Sequence, residues 1–521
     1  MIDDLTGKGL LEETADFIVI GAGTVGLPFC TELASVTGRR VICIESGGQS
    51  QDQETHPLND VVHLAQPYEG AQKGRFRCLG GTSSRWGGAL IPFQHADLAN
   101  AGWPVSLDDL LPYVPKVEQM FGLTGGPYVD EAFPLELAPN YVARLAKWPS
   151  FKKRNVVNVV GDKAQSLQNL QVWLNATVTG IHCEASGASV DVVAETASGD
   201  LLKASAPRLI IAAGAIETTR LALLIREQNT PISGALSPLI GHYFTDHISI
   251  GVAEIRPADA TALNKVVGFR FEPGGAMRNI RFEFSNQAEL RSDLPPSFVH
   301  VGFEVDKPGG FDALREVFRW LQQRRFPPPH VIVDLAKGLP WLIRAMWWRF
   351  VHKRLLYPDA SRLVTHVVIE QTPEANNFIA LSGDRVDDYG VPLAEIRWQI
   401  SEADIQKLQD VSDAFEKTWN TAGFTRFGTW NGYPKSEIGQ KLTHSGGIFH
   451  PTGSTRMGED RQSGVVDQDL RMFGAPQVQL LATSVLPTGG GANPTMMLLL
   501  LAMRCVAQHD VSSPATQSAM P

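Results

Sequence analysis

A glycine turn near the start of the chain sets the first limit on its fold. Gly21-Ala-Gly23-Thr-Val-Gly26 lies between a short apolar run, Phe17 to Ile20, and a helical pattern over Leu27 to Val36, and Val41 to Ile44 follows as a second apolar run. Short continuous strands alternating with a helix predict a buried parallel sheet. In such a unit Gly21 permits the tight turn, Gly23 lets the backbone approach a pyrophosphate, and Gly26 lets helix and strand pack closely. The start of the helix offers free N–H groups and the positive end of its dipole to the phosphates. Glu45 ends the second strand nineteen residues after Gly26. Its carboxylate can accept from ribose hydroxyls and disfavours a 2′-phosphate. Pro28 removes one early helical hydrogen bond but no phosphate-facing donor. The fingerprint predicts a bound dinucleotide without separating FAD from NAD.

At 521 residues the chain exceeds the usual size of one hydrophobic core, so two domains or one elaborated domain is expected. A net charge of −9 argues against nucleic acid as a partner. Five scattered cysteines with no CxxC suggest neither a disulfide scaffold nor a metal site. The first fifteen residues are polar and acidic, unlike a secretory leader, and the longest apolar run, Met496 to Met503, is far short of the ~20 residues that span a bilayer. A cytoplasmic location is the expectation.

Further strands are predicted at Val172–Val178 and Ser189–Thr196, in a smaller β layer, and at Arg208–Gly214, with a helix over Ile216–Arg226. From Ile248 to about Ile400 the pattern changes to period two, at Ile248–Ile255, Arg278–Phe284, Phe298–Val305 and Leu363–Glu370. This predicts a half-exposed antiparallel sheet, a substrate domain. A helix over Glu402–Ala422 then leads back to the first domain.

A second glycine loop, Arg75-Phe-Arg-Cys-Leu-Gly-Gly-Thr-Ser-Ser-Arg-Trp-Gly-Gly88, brackets hydroxyl residues with two Gly-Gly pairs, which suits close backbone approach to a large flat ligand. Further on stand Ala212-Ala-Gly-Ala-Ile-Glu-Thr218, Gly241 to His247, Gln371 to Ser382 and Asp388-Tyr-Gly-Val-Pro392. The chain closes with His450-Pro-Thr-Gly-Ser-Thr-Arg-Met-Gly458 and Thr488-Gly-Gly-Gly-Ala-Asn-Pro-Thr495. In this order the motifs resemble the glucose–methanol–choline (GMC) oxidoreductases over most of the chain.

The resemblance implies an α/β (α+β overall) protein with a Rossmann-like FAD-binding domain, discontinuous over residues 1–105, 157–247 and 440–521. Residues 106–156 and 248–439 then form the substrate domain on its antiparallel sheet. It implies FAD contacts at Gly21, Gly23, Gly26, Glu45, Gly80, Gly81, Thr82, Ser83, Trp86, Gly87, Val178, Ala213, Gly214, Ser484, Asn493, Pro494 and Thr495. It makes His450 the base that takes a hydroxyl proton while hydride passes to flavin N5, with Asn493 as its partner. The bland reading of Asn493-Pro494 before an apolar run is helix N-cap and N1 proline; both readings can hold together. His444 reads as a loop histidine, and Asp246-His247 as structural.

The C-terminal pattern, with Asn as the partner, most resembles the bacterial pyranose oxidase, glycoside 3-oxidase and dehydrogenase branch. Relatives with covalent flavin carry a histidine just before the tryptophan of the second glycine loop. Arg85 stands there, so a non-covalent FAD is expected. The implied substrate is a secondary hydroxyl of a sugar or glycoside; another alcohol, or a redox-silent scaffold, are the alternatives. Oxygen, a quinone or a protein is left open as the electron acceptor.

Residues 314–356 carry nine Lys/Arg against two acids and four of the eleven tryptophans. Leu339, Leu342, Ile343, Met346, Trp347, Phe350 and Val351 fall on one helical face, with Arg344, Arg349, His352 and Lys353 elsewhere. Two expectations stay open for 339–354: packing on its own domain or a second subunit, and peripheral docking on the anionic inner face of a membrane.

Overall fold

The computed structural model describes residues 1–510 apart from 52, 54, 100, 306–308, 323, 324, 360 and 492. Gln323 and Arg324 of the basic insertion and Ala492 of the C-terminal motif are therefore outside the described residues. The fingerprint unit forms as its spacing predicts: strand Phe17–Ile20, helix Gly26–Thr37 and strand Val41–Ile44, with both strands wholly buried. They sit centrally in a seven-stranded sheet with the order Ile2–Asp4, Leu170–Leu174, Val41–Ile44, Phe17–Ile20, Arg208–Ile211, Ala475–Leu480, Arg471–Met472. All neighbours are parallel except the last pair. Two segments more than 260 residues apart, Arg208–Ile211 and Ala475–Leu480, thus lie side by side, and this sheet is discontinuous in sequence.

Glycine geometry explains the turn. Gly21 has φ +102°, and a Cβ there would lie 2.6 Å from the Ala212 carbonyl oxygen. A Cβ on Gly26 would overlap the Gly21 carbonyl oxygen at 1.9 Å. The second glycine loop docks directly on the first. Gly80 N–H donates to the Ala22 carbonyl at 2.8 Å, and a Cβ on Gly81 (φ +52°) would stand 2.8 Å from the Gly23 Cα.

Where a single strand is expected at Val172–Val178, the chain forms two. Leu170–Leu174 joins the main sheet, Asn175 turns at φ +55°, and Thr177–Cys183 enters a separate four-stranded sheet with Val190–Glu195, Leu201–Ala206 and Leu10–Thr14. The apolar content is continuous through the break, so periodicity alone could not show it.

The second large sheet pairs Arg270–Phe271, Met277–Phe284, Ser297–Val305, Ser361–Glu370, His247–Pro257 and Gly428–Gly432 in that order, with Tyr141–Trp148 also on Met277–Phe284; all the pairs are antiparallel. The expectation of a half-exposed sheet is corrected at its centre. Asn279, Arg281 and Glu283 alternate with Ile280, Phe282 and Phe284 as a solvated face would, yet all six are buried. Asn279 and Arg281 line a cavity, and Glu283 is bonded to Arg144 and Gln94.

The basic insertion folds as helices Gly310–Gln322, Pro329–Lys337 and Leu339–Trp347, the last continuing as a π turn over Trp348–His352. Trp341, Val331 and Gln322 face inward. The predicted apolar face is bare: Leu339, Ile343, Met346, Trp347, Phe350 and Val351 are exposed. Packing of that face on its own domain is thereby ruled out, because the buried face of the helix is the one that carries Trp341. No helix of the described residues is long and apolar enough to cross a membrane, and all five cysteines are free and buried.

Replacing Gly81 by alanine adds a Cβ against the Gly23 backbone at a positive φ. We expect a loss of about 2 kcal/mol in chemical denaturation together with weaker retention of the dinucleotide. An unchanged midpoint and affinity would show that the two loops do not depend on this contact.

Candidate active site

The two glycine loops open on one side into a long channel. Gly21, Gly23, Glu45, Gly81, Thr82, Trp86, Val178, Ala213, Gly214, Pro494 and Thr495 line it, with His450 at one end. Gly214 has φ +76° and open space where its Cβ would point, and Gly23 meets only the Gly81 Cα at 4.0 Å. These bare walls suit a ligand whose phosphates approach the backbone closely. The Glu45 carboxylate accepts from Ala22 N–H and Gly47 N–H, both at 2.9 Å, and burial raises its pKa.

Other expected contacts stand behind the wall. Gly26 serves the helix packing described above. Ser83 accepts from Val156 N–H and donates to the Gly80 carbonyl, holding the second loop in shape. Ser484 is buried and takes the Thr455 hydroxyl bond. Gly87 and Asn493 line a neighbouring cavity of about 470 Å³, which meets the channel at Trp86, His450 and Thr495. Arg75 and Phe76, at the start of the second glycine loop, and Asn59 and Thr483 also line the channel; no individual contact was expected of these four, and no motif marks Asn59 or Thr483.

His450 sits in a loop held by one carboxylate. Asp246 Oδ1 accepts from His247 N–H at 2.7 Å and His450 N–H at 2.8 Å. Its Oδ2 accepts from Ile448 and Phe449 N–H, both at 2.9 Å, and from the Tyr68 hydroxyl at 3.0 Å. The loop pays in backbone strain, with Phe449 at φ +70°. Beyond His450, Thr452 exchanges backbone hydrogen bonds with Thr245. Asp246-His247, expected to be merely structural, therefore sets the position of the catalytic candidate.

Asn493 does not cap the following helix, contrary to one expectation. That helix runs Thr495–His509 with Pro494 at the cap position. The Asn493 side chain lies between two partners instead: Arg281 Nη2 donates to its Oδ1 at 3.0 Å, and its Nδ2 stands 3.2 Å from His450 Nε2. A guanidinium can only donate, so it fixes which end of the amide faces it. The amide N–H₂ must then point at His450, and Nε2 must offer a lone pair. Burial, followed by the His247 ring and Arg281, lowers His450 to about 3, so the imidazole stays neutral at ordinary pH. His247 stands edge-on to it at 5.5 Å, is itself lowered to about 4 by burial, and bonds through Nε2 to the Gly490 carbonyl at 2.8 Å. Glu370, which nothing in the sequence singles out, accepts from Gly489 and Gly490 N–H at 2.8 and 3.2 Å and anchors the glycine turn before Asn493. His444 is exposed at the end of helix Lys435–Leu442, as a loop histidine would be.

A neutral imidazole whose Nε2 lone pair is held by the Asn493 amide, set where a dinucleotide channel meets a second cavity, can take a proton from a hydroxyl that displaces that bond as hydride leaves. The comparisons with known proteins agree. The family described as GMC oxidoreductase matches residues 373–502. The chain resembles GMC oxidoreductases over this C-terminal block. It is an FAD-dependent oxidoreductase acting on CH–OH groups. Paromamine 6'-oxidase of Streptomyces fradiae is 24% identical over 94% of this chain and 90% of its own. C-glycoside 3-oxidase of Microbacterium trichothecenolyticum is 27% identical over 25% of this chain and 24% of its own. The fold matches that of pyridoxine 4-oxidase from Mesorbium loti with a TM-score of 0.59 at 16% identity, over 95% of this chain and 98% of that one.

Burial raises Asp246 to about 6. Because folding raises this carboxyl, its stabilising contribution is complete below the unfolded value near 4 and is lost as pH rises through about 6. The loop geometry needs the opposite form, the carboxylate that accepts from four N–H groups. Flavin reduction by substrate is therefore expected to fall as pH drops through about 6, a limb that neutral His450 does not produce. Asp246→Asn turns an N–H₂ toward backbone donors, so it should lower the plateau at least about tenfold and remove the limb while FAD stays bound. A limb unchanged in the variant contradicts this assignment.

Proposed function

We propose that this enzyme oxidises a secondary hydroxyl of a sugar or glycoside to a ketone, with His450 as the base. The observation that carries the reading is the His450–Asn493 pair facing the second cavity. His450 Nε2 takes the hydroxyl proton. Asn493 Nδ2 directs that lone pair and can orient the substrate oxygen without competing for its proton. FAD, when bound in the channel, supplies the hydride acceptor. Residues 1–105, 157–247 and 440–521 would bind it, and 106–156 with 248–439 would bind the substrate. The start of helix Thr495–His509 meets the channel and would favour negative charge on the group held there. A carbohydrate substrate is supported by the glycoside oxidase relative and by the polar groups that Asn279, Arg281, His300 and His366 place in an otherwise apolar and aromatic cavity wall.

Anaerobic mixing with a panel of sugars, glycosides and non-sugar alcohols tests the substrate class through bleaching of the flavin. Bleaching by sugars supports the reading; bleaching by non-sugars alone overturns it. His450→Ala should slow the step by about 10²-fold or more while FAD is retained, and an unaffected rate removes His450 from the mechanism.

Arg85 occupies the position where covalent relatives carry histidine; it donates to the Gln51 carbonyl at 3.0 Å and stacks 4.6 Å over Phe76. The FAD is accordingly non-covalent in this proposal, and acid precipitation should leave the flavin in the supernatant. A yellow pellet would contradict it.

The bare helix face supports a place for the enzyme on an anionic membrane surface. Among the described residues, eleven of the eighteen exposed large apolar side chains fall between Phe318 and Val351, including Phe326, Phe350 and Trp347 at 93%, 69% and 63% exposure. The same segment is strongly basic in a chain of net charge −9. Basic residues beside exposed aromatics match a bilayer with acidic headgroups, whereas a like-charged second copy of this patch would be repelled. Vesicles rich in phosphatidylglycerol should sediment the enzyme and neutral vesicles should not, with binding lost in a Trp347→Ala/Phe350→Ala variant. Equal recovery in the supernatant overturns the surface assignment, as does a dimer that the same variant dissociates.

A further inference from the structure

The charges behind the substrate cavity pair off with one exception. Arg144 meets Glu283 at 2.6 Å and Arg291 meets Asp97 at 2.8 Å. Burial raises Glu370 to about 8, which leaves it largely uncharged at neutral pH. Arg281 is buried, lines the cavity, and makes no ion pair with any carboxylate among the described residues. Its Nη2 is taken by Asn493 and its flat face lies 4.1 Å from the Phe298 ring, while Nε and Nη1 have no partner.

Glu283 acts on Arg281 at a distance but is bonded to Arg144, so the three groups keep one net positive charge; a buried charge of this kind is costly, and truly unpartnered buried donors are rare. The Phe298 contact and the Asn493 bond fix its plane, so the two free N–H groups are held in place before any ligand arrives. Arg281 stands in the wall of the cavity that His450 also lines. The neighbouring histidines add no charge: burial lowers His300 to about 3 and also lowers His366, and His300 Nδ1 is itself unpartnered.

We infer that Arg281 is the subsite for a carboxylate on the substrate, so that the glycoside oxidised here is an acidic one, such as a uronic acid residue. A single fixed cation among neutral histidines matches a monoanion. A phosphate dianion would keep an uncompensated charge, and a cationic sugar would be repelled. The glycoside part of this inference rests on the proposed function; the anion subsite does not.

The test uses the holoenzyme at constant ionic strength, with acetate as the probe and the oxidised flavin absorbance as the readout. Acetate should perturb the spectrum saturably. Its dissociation constant should rise about tenfold or more in Arg281→Gln and recover much of the wild-type value in Arg281→Lys. Methyl glucuronide should reduce the flavin more efficiently than methyl glucoside, and that preference should vanish in Arg281→Gln. Should Arg281→Gln not hold FAD, Arg281→Lys and competition between acetate and methyl glucuronide in the wild type carry the test. Equal acetate affinity in wild type and variants, absence of competition, or a preference for the neutral glycoside overturns the inference. Inorganic phosphate binding more tightly than acetate overturns the carboxylate in favour of a phosphate. If no sugar bleaches the flavin while acetate still binds through Arg281, the proposed function fails and the anion subsite stands.

Discussion

The active site depends on a buried carboxylate that accepts four backbone N–H bonds and a tyrosine hydroxyl. Asp246 immediately precedes strand His247–Pro257 of the antiparallel sheet, yet it holds the loop of residues 448–450, which belongs to the C-terminal block more than 200 residues away. The left-handed Phe449 and the position of His450 persist because these bonds over-determine them. From His450 the order passes outward: Asn493 aims its amide at the imidazole, Arg281 fixes the amide, and Glu370 anchors the glycine turn before it. The Arg281 and Glu370 links run from the antiparallel sheet to the C-terminal block, and the His450–Asn493 pair sits where they meet it.

The parts of this arrangement set by local backbone rules are legible in the sequence. Spacing alone places Phe17–Ile20, the glycine turn and Val41–Ile44, because strand, tight turn and helix start are short-range features. The His450 and Asn493 motifs are legible through resemblance. What fails does so for stated reasons. Asn279, Arg281 and Glu283 read as a solvated face because buried polar partners and water impose the same alternation on a strand. Asn493-Pro494 reads as a cap because the sequence signal for capping does not include the competing pull of Arg281 and His450. Glu370 ends an ordinary-looking strand and gains its role only from a turn 119 residues away.

The basic insertion is tied to the same centre. Gln322, at the end of its first helix, donates to the Ser83 and Trp86 carbonyls at 3.1 Å, which brace the second glycine loop. Trp341 reaches the Tyr357 carbonyl at 3.4 Å, and Tyr357 lines the substrate cavity. The inner face of the insertion thus packs behind the wall of the channel and the neighbouring cavity, and its outer face is bare and apolar. A surface that captures the outer face would act on a segment already packed against the site.

The proposed chemistry needs a neutral His450 whose unprotonated Nε2, held by the Asn493 amide, passes to the substrate hydroxyl. Nitrogen-15 NMR of histidine-labelled enzyme, with His450 assigned by difference against His450→Asn, measures this directly. The account predicts the Nδ1–H tautomer, with Nε2 unprotonated at neutral pH and still unprotonated at pH 5. An Nε2–H tautomer, or an imidazolium at neutral pH, would contradict it.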